Sequence, residues 1–204
     1  MGMIARPHDL LLLSGRSAPD AALPDWARAS LAACPWAVVR RAPCSPGLIP
    51  VGVRGTERRL RHAAIVPSDS VVRVVTPEDL RKRPPRLPQF ATALSAVTLR
   101  LSAELGDDAV WGPTGSLGFE LATGRPVTHP GSDLDLLIRA PRRLDRAQAA
   151  RLVTALTGVP VTVDCQLETP RGGLSLTEWA HADGLVMIRT AHGPQLVDDP
   201  WAPE

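Results

Sequence analysis

Tyrosine is absent from this chain, lysine occurs once, and there are only two phenylalanines and three cysteines. Each scarcity removes a class of protein. Three cysteines, Cys34, Cys44 and Cys165, are odd in number and show no Cys-x-x-Cys spacing, which excludes a disulfide framework and a structural zinc site. No apolar run approaches the roughly 20 residues that span a bilayer. The run Leu10–Leu13 is short, follows Arg-Pro-His-Asp and has no cleavage-site pattern behind it, so neither a membrane span nor a secretory leader is expected. A cytoplasmic location follows as an expectation. Basic residues occur without a basic-aromatic stripe or a nucleic-acid-binding motif, so nucleic acid is not expected as a partner.

What is present is a globular composition, 44% hydrophobic over 204 residues, enough for one large domain or two small ones. Nearly all the basic charge is arginine, whose planar fork suits phosphate. It is unevenly placed, with 14 basic against 7 acidic side chains in residues 1–86 and 9 against 14 in residues 87–204. The chain reads as a basic N-terminal module (1–80), a Pro/Arg-rich linker (81–88, RKRPPRLP) and an acidic C-terminal domain (89–204). Two arginine-rich clusters stand out as receivers of phosphate or of an acidic protein. They are Arg54, Arg58, Arg59 and Arg61, and Arg81, Lys82, Arg83 and Arg86.

The segment with the most chemistry is 112–138, GPTGSLGFELATGRPVTHPGSDLDLLI. Asp133 and Asp135 are spaced i, i+2 at the head of the apolar run Leu136–Ile138, and on a strand that spacing sends both carboxylates to one side while Leu134 and Leu136 face a core. Paired carboxylates repel unless a cation lies between them. Oxygen-only donors favour a hard ion, so Mg²⁺ is expected, with Mn²⁺ as a substitute, completed by substrate phosphates. Seventeen residues before Asp133, Gly115-Ser116 forms a turn at the start of a helix expected over 117–122, where the backbone can approach a phosphate and the helix end favours an anion. Gly115 and Ser116 are therefore the candidate substrate-binding residues. A third carboxylate is expected from the strand VTVDCQLE, in which Asp164 lies mid-strand, opposite in phase to Val163 and Cys165. Asp133, Asp135 and Asp164 together form the candidate catalytic and metal-binding set.

Elsewhere the periodicity predicts strands at 7–13, 36–41, 49–53, 60–66, 71–75, 110–113, 133–139, 160–167 and 185–190. Helices are predicted at 24–33, 89–105, 145–157 and 175–182. The fold class is α+β, a small N-terminal α/β module followed by a mixed-sheet domain. Trp111 beside the turn is a candidate wall of an adenine or ribose pocket. The stretch Glu168–Gly173 reads either as a Gly-rich turn or as a substrate contact, and the five histidines show no ligand spacing. A rival reading comes from Thr114-Gly115-Ser116-Leu117-Gly118, close to the Gly-x-Ser-x-Gly elbow, with Asp164 and His192 following in hydrolase order. Threonine at the first position and the short chain weigh against it.

The Gly-Ser turn, Ser132-Asp133-Leu134-Asp135 and the later strand Asp164 resemble the DNA polymerase β-like nucleotidyltransferase superfamily. RPHDLLLL, IPVGVRG, WGPTGSLGFELATG, SDLDLLI, DCQLETPRGGLSLTEWA and IRTAHGPQLVDDPW are together similar to the MdcG family, malonate decarboxylase holo-acyl-carrier-protein synthases. That resemblance implies transfer from 2'-(5-triphosphoribosyl)-3'-dephospho-CoA to a serine of the decarboxylase's acyl carrier subunit, with pyrophosphate released. It maps catalysis onto Asp133 and Asp135, whereas Asp164 rests on the wider superfamily's logic. Within nucleotidyl transfer, AMP transfer to a protein or small molecule is the alternative. The longer than usual interval between Ser116 and Asp133 leaves a loop over 123–131 without an assigned role.

Overall fold

The computed structural model describes residues 5–14, 23–57, 59–106 and 109–203. Arg58 of the first arginine cluster lies outside them. The chain forms two compact units, Met1–Thr76 and Pro77–Glu204.

In the first unit, strands β1 (Leu10–Leu13), β2 (Trp36–Val39), β3 (Leu48–Arg54), β4 (Arg61–Pro67) and β5 (Val71–Val75) make an antiparallel sheet in the order β4-β3-β2-β1-β5. Alternation builds one buried face: Ile49, Val51 and Val53 of β3 go inward with Ala64 and Val66 of β4. Helix α1 (Asp25–Ala33) starts directly after Pro24, which fixes its entry angle, and adds Ala27 and Leu31 to that core. These strands and this helix follow the pattern read from sequence to within a few residues.

The second unit holds a six-stranded mixed sheet, ordered β11-β10-β9-β8-β7-β6. Its strands are β6 (Trp111–Pro113), β7 (Leu134–Arg139), β8 (Val163–Glu168), β9 (Gly173–Ser175), β10 (Val186–Thr190) and β11 (Gly193–Val197). Only β7 and β8 run parallel, and α5 (Arg146–Leu156) carries the chain between them. Asp145 caps α5, its carboxylate accepting from Gln148 N at 2.7 Å. Helix α3 (Pro88–Leu105) opens on a proline at its first position and buries Phe90, Leu94, Val97 and Leu101 along one stripe. Each of those side chains contributes about 1.5–3 kcal/mol of burial. Helix α4 (Gly115–Thr123) follows β6, and α6 (Leu176–His181) leads into β10. Together with the first unit this is an α+β fold with two sheet modules. Helix and strand alternation did not predict β9, β11 or the one-turn helix α2 (Pro77–Leu80), each five residues or fewer.

The segment 81–88, expected as a free linker, lies inside the second unit. Five contacts explain why. Glu78 of α2 pairs with the buried Arg139 of β7, and a Cβ on Gly112 of β6 would stand 2.0 Å from Pro77 O, so α2 lies flush on the sheet edge. Arg81 stacks its guanidinium 4.5 Å over the Trp111 ring. Arg83 Nη1 donates to Leu121 O at 2.9 Å, satisfying a carbonyl near the C-terminal end of α4, where a cation is favoured. Arg86 Nη2 donates to Thr128 O at 2.6 Å. Prolines and arginines read as a solvated linker in sequence, because nothing local shows that their donors meet carbonyls about 40 residues away.

Candidate active site

The site is built on the β6–α4 turn and the two parallel strands. Antiparallel pairing sets Pro113 opposite Leu136, and Thr114 N donates to Asp135 O at 2.8 Å, so the turn closes against β7. Gly115 begins α4 at φ +58°, a left-handed conformation that a side chain disfavours. A Cβ there would lie 1.7 Å from Asp135 Oδ2. The Asp135 carboxylate therefore rests against the first residue of α4. Glycine is required at 115 by the carboxylate itself, a constraint distinct from the close approach of a phosphate expected from the sequence. A carboxylate at a helix N-terminus gains about 0.3–1 kcal/mol from the oriented peptide dipoles.

On the next strand, Asp164 is the register partner of Asp135 across the parallel pair, a strand separation of about 4.8 Å. Asp135 is half-buried and Asp164 exposed, while Cys165 and Leu167 of the same strand are buried as their alternation predicted. Leu134 N donates to Thr162 O at 2.8 Å, which extends this pairing to the residue after Asp133. Asp133 is exposed and immediately precedes β7. Among the described residues no three of His, Cys, Asp and Glu are close enough to hold a metal ion. The backbone thus assembles a carboxylate pair, Asp135 and Asp164, with Asp133 two residues upstream, in place of a closed three-ligand cage. The donor set suits Mg²⁺, which keeps several waters and takes one or two carboxylates plus substrate phosphates.

Ser116 sits half-buried in the first turn of α4. It lies inside the helix rather than at its cap position. Thr114 holds the cap position, and no side chain makes a capping bond there.

Three other sequence candidates fall away from this site. Trp111 is 1% exposed, and with Arg81 stacked on it has no surface for a nucleoside. The Thr169–Gly172 turn is closed on itself, Thr169 Oγ1 donating to Gly172 O at 2.9 Å, and it follows the far end of β8, about 13 Å along the strand from Asp164. His192, the third member of the hydrolase reading, lies in the turn between β10 and β11, at the opposite edge of the sheet from β6 and Ser116. A Ser–Asp–His triad cannot form across that width. Cys165, behind Asp164, is inert: burial pushes its thiol well above the usual range, and the Asp164 charge adds to the effect.

Sequence reasoning overlooked Glu120. It is 5% exposed in the wholly buried stretch Leu117–Ala122 of α4. Its Oε2 accepts from Val127 N at 2.9 Å, Thr128 N at 2.9 Å and Thr128 Oγ1 at 2.7 Å, and Arg86 Nη2 lies 3.6 Å away. Burial pushes this carboxyl up, but the bonds from Thr128 and Val127 and the Arg86 charge outweigh it and hold the group below its ordinary 4.5. A depressed folded value means that the ionised carboxylate stabilises the fold above pH 4.5, and that this stability is lost as pH falls through the lower folded value. Wild type is therefore expected to be more stable than Glu120→Gln at pH 7, with the gap closing on acidification below pH 4.5. Urea denaturation of both proteins from pH 7 to 3 checks it, and a gap that widens in acid would refute the assignment. The sequence signal was a lone acid in the apolar run LGFELA.

Two family models cover the described fold. The phosphoribosyl-dephospho-CoA transferase MdcG N-terminal domain matches residues 6–77, and the MdcG C-terminal domain matches residues 79–200. The chain belongs to the MdcG family. The boundary between the two MdcG domains falls where the two compact units meet. Curated relatives named phosphoribosyl-dephospho-CoA transferase match nearly end to end. One from Pseudomonas putida is 45% identical over 197 residues, covering 97% of this chain and 95% of its own. One from Azotobacter vinelandii is 44% identical over 202 residues, covering 98% and 95%, and one from Klebsiella pneumoniae is 40% identical over 202 residues, covering 98% of each. This MdcG member is thus a transferase. No solved structure matches the chain.

Proposed function

We propose that this MdcG member transfers the phosphoribosyl-dephospho-CoA group of 2'-(5-triphosphoribosyl)-3'-dephospho-CoA to a serine of the apo acyl carrier subunit of malonate decarboxylase, releasing pyrophosphate. One observation carries the reading: a carboxylate, Asp135, pressed against the N-terminus of α4 and in register with a second carboxylate, Asp164. That arrangement brings anionic donors and a phosphate-favouring helix end to one place. Asp135 and Asp164, with Asp133 beside them, would hold Mg²⁺ or Mn²⁺. Bound there, the ion supplies positive charge that offsets the triphosphate and the charge developing on the departing pyrophosphate.

The chain's own groups do the rest. Gly115 and Ser116 at the helix start receive the outer phosphates, the Ser116 hydroxyl donating to a phosphate oxygen. Asp164, exposed on the strand next to Asp135, accepts the proton of the attacking carrier serine. The serine oxygen forms a bond to the α-phosphorus as the bond to pyrophosphate breaks, leaving a phosphodiester on the carrier. The acceptor would approach from solvent, and a cytoplasmic setting accords with a chain in which no described helix is long and apolar enough to cross a membrane.

Incubation of the protein with purified apo carrier subunit, donor and Mg²⁺ is expected to raise the carrier's mass by one phosphoribosyl-dephospho-CoA group. EDTA should abolish the transfer, Mg²⁺ or Mn²⁺ should restore it, and a serine-directed fluorophosphonate should leave it intact. An unmodified carrier serine, or transfer that persists in EDTA, would refute the reading.

A further inference from the structure

The loop between α4 and β7 delivers Asp133, and its anchorage is unusual in kind. A helix this deeply buried is most cheaply filled with apolar side chains, yet α4 carries Glu120 at 5% exposure, and its Oε1 is buried with no hydrogen-bond partner among the described residues. An orphaned polar atom of this sort is costly to bury. What this carboxylate contributes is set by the donors it meets: without it the Val127 and Thr128 donors would be left unpaired, so the loss would fall on the loop.

Its Oε2 is spent entirely on the loop and its tether. It takes the two backbone donors of Val127 and Thr128 and the Thr128 hydroxyl. Arg86 bridges the same elements, within 3.6 Å of Glu120 Oε2 and donating to Thr128 O at 2.6 Å. One residue past Thr128 the chain folds into a closed turn. Ser132 N donates to His129 O at 2.9 Å, His129 N donates to Ser132 Oγ at 3.1 Å, and Gly131 N donates to His129 Nδ1 at 3.2 Å. Gln89 Nε2 holds the middle of this turn by donating to Pro130 O at 2.9 Å. The residue after the turn is Asp133, and the next, Leu134, is already locked into the sheet through Thr162 O.

We infer that Glu120, bridged by Arg86, is a positioning residue: it fixes the 124–131 loop so that the His129–Ser132 turn presents Asp133 at a set distance from Asp135 and Asp164. Asp133 is exposed and lies outside the strand, so the sheet alone does not hold it. Besides the clamp, Gln89 holds the middle of the turn that precedes Asp133. A carboxylate that wanders by about 1 Å costs on the order of a hundredfold in a reaction that depends on placement. This inference deepens the proposed function, and its importance for metal affinity rests on that reading.

The test compares wild type with Glu120→Leu, which fills the same space without the clamp, and Glu120→Gln, which keeps one acceptor for the loop amides. Two quantities are read: Mn²⁺ affinity in the presence of inorganic pyrophosphate, and amide hydrogen exchange at residues 127–134. Glu120→Leu, which leaves the Val127 and Thr128 donors unpaired, is expected to lower the thermal midpoint, to bind Mn²⁺ at least tenfold more weakly, and to exchange faster through Ser132 and Asp133. Glu120→Gln should recover most of both losses. Exchange that rises only at Val127 and Thr128, or Mn²⁺ affinity unchanged in Glu120→Leu, would overturn the inference. If Glu120→Leu does not fold, Glu120→Gln and Arg86→Ala decide by the same two readings. A wild-type protein that leaves the carrier unmodified while the Mn²⁺ series keeps its order would refute the proposed acceptor and leave the clamp standing. Should wild type bind no Mn²⁺, the metal reading falls, and exchange at Ser132 and Asp133 decides the clamp.

Discussion

Asp135→Asn is expected to lower kcat about a thousandfold while leaving the fold intact. The substitution keeps side-chain volume and removes the charge proposed to hold a metal, and loss of such a ligand costs several kcal/mol of transition-state stabilisation, with each 1.4 kcal/mol worth about tenfold. Its effect on stability is a balance of two terms of similar size. The neutral amide relieves repulsion with Asp164 across the strand pair, worth about 0.2–1 kcal/mol, and forfeits the attraction of the carboxylate to the α4 N-terminus, worth about 0.3–1 kcal/mol. The midpoint of Asp135→Asn should therefore stay near wild type in the absence of metal. Asp164→Asn, which relieves the same repulsion and is not set against the helix, should raise it by about 1–2 °C. Steady-state kinetics with the carrier and calorimetry without metal check both arms. A variant of Asp135 that keeps more than about a tenth of wild-type turnover would remove that residue from the mechanism.

Gly115→Ala is expected to be nearly as damaging, through a different route. The added methyl would enter the Asp135 carboxylate at 1.7 Å, so either the carboxylate rotates off its position or the first turn of α4 unwinds. Both displace the pair that defines the site. The backbone adds its own cost, since alanine at φ +58° is disfavoured by about 1–2 kcal/mol. Gly124, at the other end of the same helix, provides the matched control. Its φ is +73°, but a Cβ there meets nothing within 4 Å. Gly124→Ala should therefore lose about 1 kcal/mol of stability and retain activity, whereas Gly115→Ala should lose more stability and at least a hundredfold in kcat. Denaturant midpoints and kcat for the two alanine variants test this. Equal losses of activity would show that backbone strain, and not collision with Asp135, governs position 115.

Much of the site was legible before any coordinates. The i, i+2 aspartates ahead of three apolar residues read as a strand entry, and the Asp164 phase within VTVDCQLE followed from Cys165 and Leu167 needing a core. Other elements were out of reach for a physical reason. Strands β9 and β11 are too short and too irregular in pattern to show a period of two. Helix α4 starts two residues before the expected 117, and Thr114 takes the cap position, leaving Ser116 inside the first turn. Trp111 looked like a pocket wall because it neighbours the turn in sequence, and it is buried beneath Arg81.

By itself the sequence determined the α+β class and most of the strands and helices, and it singled out Asp133, Asp135 and Asp164 as candidates for the chemistry. Those are properties of local pattern: periodicity, caps and the spacing of charges act over a few residues. The tertiary structure decided which of those residues meet. The β7–β8 register placed Asp164 beside Asp135, the left-handed turn at Gly115 put a carboxylate against a helix end, and Arg86, read as part of a linker, became the tether of a loop some 40 residues later. Donors and acceptors so far apart in sequence are brought together by packing of the whole unit, and packing leaves no trace in the spacing of residues along the chain.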